Sequence, residues 1–225
     1  MPVLNEEAYI ENSISSWFPI INKFPGSEIL IVEGGSKDKT RAILQKLCKK
    51  LNFVKTVDQK DKGHGNALAQ GYKLAVNSVH DWVFQTDGDG HHNPSDFESL
   101  WERRETSDFI LGHRTKRNEP RFRLALSQLA SILIYILFGE YIKDPNIPFR
   151  LMRRNYLKKI LKRVPMGVYA PNIFLSILAK KDGHNLHHIP VAHMPRKKST
   201  PNTANILKGA LTGFFELLVF SFSLI

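Results

Sequence analysis

A single cysteine, Cys48, in 225 residues excludes any intramolecular disulfide, and with it the small stapled scaffolds of secreted domains. No uncharged apolar run reaches the roughly 20 residues that a membrane-spanning helix needs. The two longest candidates are 122–138 and the 17 residues from Gly209 to Ile225, and the second of these carries Glu216. The second fits a helix lying in the interface, or half of a membrane hairpin cut off by the chain end, better than a span. The first reads either as a helix touching anionic headgroups or as a buried core helix. A secretory leader is not legible, because Glu6, Glu7 and Glu11 stand where a basic and then apolar segment would be required. Acid is scarce in the second half. Residues 111–225 hold 19 Lys and Arg against 5 Asp and Glu, whereas residues 1–110 hold 13 against 16. So one-sided a field draws polyanions: nucleic acid, an anionic bilayer surface or a phosphorylated substrate. No motif of aromatic and basic residues accompanies the charge, which sets nucleic acid aside.

What the chain does have is alternation. Glu28-Ile29-Leu30-Ile31-Val32 reads as a buried strand, followed by the turn Gly34-Gly35-Ser36 and a helix over 37–51. Strands at 53–57, 82–86 and 108–111 alternate with helices over 65–77 and 94–104, the last opened by Pro94. This rhythm predicts an α/β domain with a mostly parallel sheet covered on both faces, whose ligands bind at the carboxyl ends of the strands. The second half predicts a long apolar helix over 122–138, a loop at Lys143-Asp144-Pro145-Asn146, a strand at 149–152, and helices near 155–163 and 171–180. A last strand follows at 188–191. The basic loop Arg196-Lys197-Lys198 then leads to a C-terminal apolar helix, expected as a membrane-contacting unit over 201–225 after a main domain of 1–200. Arginines at 114, 117, 121 and 123 crowd the start of the long helix, as they would beside anionic headgroups.

The strongest chemical signal is Thr86-Asp87-Gly88-Asp89-Gly90-His91-His92, directly after a predicted buried strand. Two carboxylates two residues apart can converge on one hard divalent cation, Mg²⁺ or Mn²⁺, which completes its shell with water and phosphate oxygens. The imidazole of His91 suits Mn²⁺. Four further segments fall in order around it: Met1-Pro2-Val3-Leu4-Asn5-Glu6-Glu7, Val32-Glu33-Gly34-Gly35-Ser36-Lys37-Asp38-Lys39-Thr40, Gly63-His64-Gly65-Asn66-Ala67, and Gly112-His113-Arg114. With Arg123, Ser127, Asp144 and Phe149-Arg150-Leu151-Met152-Arg153-Arg154, they resemble the family 2 glycosyltransferases of the GT-A, Rossmann-like fold. Within that family the chain is most similar to the polyprenyl-phosphate sugar transferases.

The resemblance implies roles. Pro2, Leu4, Glu6 and Glu33 would line the pocket of the nucleotide of a nucleotide-sugar donor. Asp87 would sit by the ribose and metal, and Asp89 and His91 would be metal ligands. Arg114, Arg123 and Ser127 would hold an acceptor phosphate, and Arg150 would stand near the diphosphates. A sugar hydroxyl would need a general base, for which Asp144 is the candidate, whereas a lipid phosphate is already anionic and needs only positioning. Abundant arginine beside one candidate base favours the lipid-phosphate acceptor, with in-line displacement and inversion. The alternatives are transfer to a glycan or lipid hydroxyl in cell-envelope polysaccharide synthesis, or a non-catalytic nucleotide- and membrane-binding module. The expected place is the cytoplasmic face of a membrane, as a peripheral or monotopic protein. The resemblance departs at Glu33-Gly34, where relatives carry two adjacent acids, and at Pro148, where they carry glycine. It also implies a buried first strand ahead of the Pro2 loop, a strand expected to be missing at the N-terminus.

Overall fold

The computed structural model of the chain describes residues 1–115, 121–194 and 203–223. Its first half runs β1 (Pro2–Val3), α1 (Ile10–Ser16), α2 (Phe18–Lys23), β2 (Ile29–Glu33), α3 (Thr40–Lys50), β3 (Val54–Asp58) and α4 (His64–Ala75). β4 (Trp82–Thr86), a 3-10 turn (Pro94–Asp96), α5 (Phe97–Trp101) and β5 (Phe109–Arg114) follow. The second half comprises α6 (Arg121–Phe138), β6 (Phe149–Arg153), α7 (Arg154–Leu161), α8 (Pro171–Lys181), β7 (Ile189–Val191) and α9 (Thr203–Phe222). Local chemistry explains most boundaries. β2 is a run of branched apolar residues buried on both faces, as a central parallel strand requires. α3 turns Leu44 and Leu47 inward and ends on Lys49 and Lys50, whose charges complement the negative end of its dipole. The turn at 94–96 opens on Pro94, with the Asn93 side chain accepting from Ser95 N.

β1, β2 and β3 form one parallel sheet; a second has the order β4-β6-β5-β7. β5 and β7 are parallel, but β6 runs antiparallel to both β4 and β5. The mostly parallel sheet expected from the sequence is therefore present with one reversed strand, and the cause is positional. α6 leaves from the carboxyl end of β5, and the loop after it returns to that end, where Asp144 meets Arg114. A strand beginning five residues later has only one direction to run. α1 and α2 were not foreseen. They bury Ile10, Ile14 and Trp17, and Trp17 packs at 5.3 Å from Phe84 in an aromatic cluster that also holds Phe97 and Phe149.

The C-terminal helix is part of this core. Phe220 of α9 packs edge-on against Phe174 at 5.0 Å and lies 5.9 Å from Phe138 of α6. Glu216, the acid within the apolar stretch, accepts the Tyr169 backbone N–H through both oxygens at 3.0 Å. The loop carrying Tyr169 also abuts α4, because a methyl group on Gly65 would overlap the carbonyl oxygens of Val168 and Tyr169. Among the described residues no helix is long and apolar enough to cross a membrane. The basic loop at 196–198 and Arg117 lie outside the described residues.

Asp182, at the end of α8, ties α7 to α8. Its carboxylate accepts from Arg163 at 2.7 Å and from Tyr156 Oη at 3.1 Å, with Lys159 at 3.9 Å. Burial works against its charge, but these partners outweigh burial and hold its pKa below the ordinary carboxylate value. A depressed carboxylate stabilises the fold above its unfolded pKa, and that contribution disappears as pH falls through the folded value. Thermal melting should accordingly show Asp182→Asn costing about 1–2 kcal/mol at neutral pH. The deficit against the parent chain should close as both are acidified below about pH 4. A deficit independent of pH would place the effect in packing instead.

Candidate active site

The carboxyl ends of β1, β2, β4 and β5 supply the residues picked out by sequence. Beyond β1, residues 5–7 are zipped to the loop after β2. Asn5 N donates to Ser36 Oγ at 2.9 Å, Glu6 N to Thr40 Oγ1 at 2.7 Å, and Lys37 N to Asn5 Oδ1 at 2.8 Å. Glu7 and Asp38 exchange similar bonds with the facing backbone. Asn5 adopts φ 54°, a left-handed conformation that asparagine tolerates better than most residues. Pro2 pairs with Val32 in the ladder, while Leu4 projects outward, 54% exposed, at the mouth of this double loop.

Glu33 was expected to face the nucleotide. Its carboxylate is fully buried and accepts from Gly35 N, from Ser36 N at 2.6 Å, and from Arg41 Nη2 at 2.7 Å. Burial opposes its ionisation, yet Ser36 and Arg41 prevail and keep its pKa below the ordinary value. Glu33 thus fixes the shape of the Gly34-Gly35-Ser36 loop, and Arg41, which the sequence did not single out, neutralises it.

The Asp-Gly-Asp segment packs against the end of β1. A side chain at Gly88 would collide with Val3, so only glycine lets the acids approach so closely. Asp87 accepts from Gln85 Nε2 at 3.3 Å, and Asp89 Oδ1 accepts from His91 N at 3.1 Å. Asp87 keeps some accessible surface but is densely enclosed. Burial and then the charge of Asp89 push its pKa up to about 7, although the Met1 amine, Arg114 and His91 pull it down. Two acids that resist ionising together are an unneutralised pair, and this donor set fits a hard cation such as Mg²⁺ or Mn²⁺. The three-residue cage expected with His91 is not assembled, however. His91 Nδ1 bonds the Met194 carbonyl at 2.8 Å, its Nε2 stands 3.8 Å from Asp89 Oδ2, and no set of three acid, histidine or cysteine ligands forms among the described residues.

Sequence reasoning missed the other side of this loop. His91 stacks on His193 with centroids 4.7 Å apart, and His92 forms a bridge with His193. His92 is buried; desolvation and the nearby His193 and Arg114 hold its pKa down at about 3, so it is neutral. Only the unusual His91-His92 pair, with His193 after the last strand, could have signalled this packing.

Arg114, at the end of β5, forms a bidentate ion pair with Asp144. Its Nε and Nη2 each lie 2.9 Å from a carboxylate oxygen. Both side chains are largely buried, 12% and 5% exposed. Ser127 lies in α6, where its carbonyl accepts from Ser131 Oγ. Arg123 stands in the first turn of the same helix, and its side chain lies outside the described residues. Arg150 is not at the ligand face. It is wholly buried, donating to the carbonyls of Pro145, Ile147 and Asn172 and to Ser176 Oγ. It holds the loop that presents Asp144. It was expected near the diphosphates; its described hydrogen bonds go instead to the loop before β6 and to α8.

Strand ends that gather a zipped loop, an acid pair and an anchored arginine, on a sheet flanked by helices, define a GT-A type α/β domain. Glucosyl-3-phosphoglycerate synthase from Mycobacterium tuberculosis, solved with Mn²⁺, uridine diphosphate and glucosyl-3-phosphoglycerate, superposes with a TM-score of 0.70. The match is at 18% identity and covers 98% of this chain and 77% of that one. Mannosyl-3-phosphoglycerate synthase from Rubrobacter xylanophilus superposes at 0.71 with 13% identity, covering 96% of this chain and 71% of that one. The profile of glycosyl transferase family 2 matches residues 1–163, and the chain belongs to that family. It is an enzyme of glycosyl transfer. Among characterised relatives, the UDP-N-acetylglucosamine–dolichyl-phosphate N-acetylglucosaminyltransferase of Methanococcus voltae is 24% identical over 97% of this chain and 93% of its own length. The polyprenol monophosphomannose synthase of Mycolicibacterium smegmatis is 29% identical over 77% of this chain and 69% of the relative.

Proposed function

We propose that the enzyme transfers a sugar from a nucleoside-diphosphate donor to a polyprenyl phosphate, with inversion, at a membrane surface. The carrying observation is the Arg114–Asp144 pair. Asp144, the acid nominated as base for a hydroxyl acceptor, is engaged in a bidentate ion pair, and it orients an arginine at the strand end. The other described acids of the second half are engaged elsewhere or remote: Asp182 with Arg163, Glu216 with Tyr169, and Glu140 beyond α6. A cationic station without a poised base suits an acceptor that arrives as an anion. The names of the archaeal and mycobacterial relatives, which carry dolichyl phosphate and polyprenol, support the same class.

In this reading the zipped loops at 4–7 and 34–40 enclose the nucleotide, with Leu4 as the outer wall. A Mg²⁺ or Mn²⁺ ion held by Asp89 and Asp87 would supply Lewis-acid stabilisation of the departing diphosphate. Arg114, kept rigid by Asp144, places a phosphate oxygen behind the anomeric carbon. Arg123 and Ser127, at the start of α6, are proposed to close on the same phosphate. The oxygen forms its bond to the anomeric carbon as the bond to the diphosphate oxygen breaks, and the electron pair leaves with the nucleoside diphosphate. No proton need be removed.

Membrane attachment is part of the proposal. Leu129, Ile132 and Ile136 of α6 and Leu211, Phe215 and Val219 of α9 are all exposed, on two helices packed together. Together with the excess of arginine and lysine in this half, they suit an anionic interface. Ile136→Asp combined with Phe215→Asp should reduce co-sedimentation with vesicles of anionic phospholipid at least tenfold, leaving thermal stability nearly unchanged. The transfer itself is tested by incubating the protein with UDP-, GDP- and dTDP-sugars, a divalent ion and a short polyprenyl phosphate. Nucleoside diphosphate release should require both the ion and the lipid phosphate. Release that depends instead on a glycan or lipid hydroxyl would overturn the acceptor assignment.

A further inference from the structure

Gln85 is a polar residue at a buried place in β4, 4% exposed, where a sheet interior takes apolar side chains. Burying its amide costs free energy unless both ends are paired. Phe84 turns to the Trp17 cluster, so Gln85 lies on the opposite face of the sheet, where it stands across the ladder from Arg150. Arg150 does not account for it. All five guanidinium N–H groups go to the carbonyls of Pro145, Ile147 and Asn172 and to Ser176 Oγ. Gln85 is instead the third link in a chain of donors. Tyr72 Oη of α4 donates to Asn172 Oδ1 at 2.6 Å, with a longer approach of 3.4 Å to Gln85 Oε1. Asn172 Nδ2, in the first turn of α8, donates to Gln85 Oε1 at 3.2 Å. Gln85 Nε2 then donates to Asp87 Oδ1 at 3.3 Å.

The direction of this chain is set from its far end. An ionised carboxylate only accepts, so the Gln85 amide turns its nitrogen to Asp87 and its oxygen back to Asn172. The Asn172 amide does the same in turn, which leaves its own oxygen for the phenol. Burial pushes the Tyr72 phenol above its ordinary pKa, so the first link stays a donor. Arg150 steadies the middle link by donating to the Asn172 carbonyl at 2.9 Å. We infer, resting on Asp87 and Asp89 as the proposed cation-holding pair, that Gln85 is a positioning residue for the reaction: backed by Asn172 and Tyr72, its amide holds Asp87 Oδ1 and leaves Oδ2 for the divalent cation. A carboxylate pinned through one oxygen by a buried, close-packed network is presented in one orientation, and it loses less freedom when the ion arrives. Two amides and a phenol achieve this without adding charge. A lysine or arginine in that place would compete with the cation for the acid.

The test reads cation binding itself, without turnover. The protein is titrated with Mn²⁺ alone, and the free ion is counted by its electron paramagnetic resonance signal. Gln85→Met keeps the length of the side chain and removes the donor, whereas Tyr72→Phe removes only the first link and touches neither acid. The Kd for Mn²⁺ is expected to rise about thirtyfold in Gln85→Met and about threefold in Tyr72→Phe, against about a hundredfold in Asp89→Ala. Both network variants should also melt several degrees below the parent, because each leaves a buried polar group unpaired. A Gln85→Met protein that melts lower yet binds Mn²⁺ within about twofold of the parent, while Asp89→Ala does not, would overturn the inference and leave the acid pair standing. The donors would then serve packing alone. Equal Mn²⁺ binding by the parent and Asp89→Ala, or none by either, would remove the acid pair as a cation site and the inference with it. Should Gln85→Met not fold, Tyr72→Phe decides the matter, since an unchanged Kd in that folded variant is the same refutation.

Discussion

Asp89→Ala is expected to lower transfer by about a thousandfold, with Tm within about 2 °C of the parent. Asp89 is partly exposed, and the bond it accepts from His91 N lies within its own turn, so little of the fold depends on it. Its chemical weight is larger. It is the outer acid of a pair in which burial, and then its own charge, raises Asp87 to about 7. Removing it takes away a proposed ligand and also the charge that would draw a cation to that spot. Asp89→Asn separates these effects, because it keeps the turn and an oxygen ligand but loses the charge. The measurement is the rate of nucleoside diphosphate release at saturating divalent ion. A loss under tenfold for Asp89→Ala would mean that the acids are a solvated turn and that the reaction centre lies elsewhere.

Asp144→Asn should be the second large effect, and it acts on both stability and rate. The Arg114 guanidinium would lose the anionic partner that holds it in a largely buried setting, which costs about 3 kcal/mol. Transfer should fall about a hundredfold through misplacement of Arg114. The pH profile of transfer distinguishes this from general-base catalysis. If Asp144 only positions Arg114, the variant is slower at every pH with an unchanged profile, and Asp144→Glu recovers part of the rate. If Asp144 is the base, the acid limb of the parent profile vanishes in Asp144→Asn. That second outcome would move the acceptor from a phosphate to a hydroxyl.

These two residues also mark how far the sequence could be read. β4 lies on its apolar run, and the acids after it stand at its end, because an apolar strand followed by Asp-Gly-Asp admits few arrangements. The pairing of Asp144 with Arg114, 30 residues apart, is a product of the return loop, and no spacing rule announces it. Arg150 shows the converse. In sequence it is one more cation in a basic half, but the carbonyls of 145, 147 and 172 converge on it only once β6 and α8 are packed. Glu33 was legible as important, but its role in fixing the Gly34-Gly35-Ser36 loop was not, since Arg41 reaches it from the first turn of α3. α1 and α2 escaped because Trp17-Phe18-Pro19 interrupts any single helical period, while the structure breaks the helix at that point and uses both halves.

The contacts of Tyr169 carry a mechanical consequence. Its nitrogen is clasped by Glu216 of α9, and its carbonyl presses on Gly65 in the first turn of α4, with no room for even a methyl group between. A close-packed relay of this kind passes on displacement instead of absorbing it. The loop at Tyr169 thus locks α9 to the start of α4, so that neither helix can be repositioned without disturbing the other.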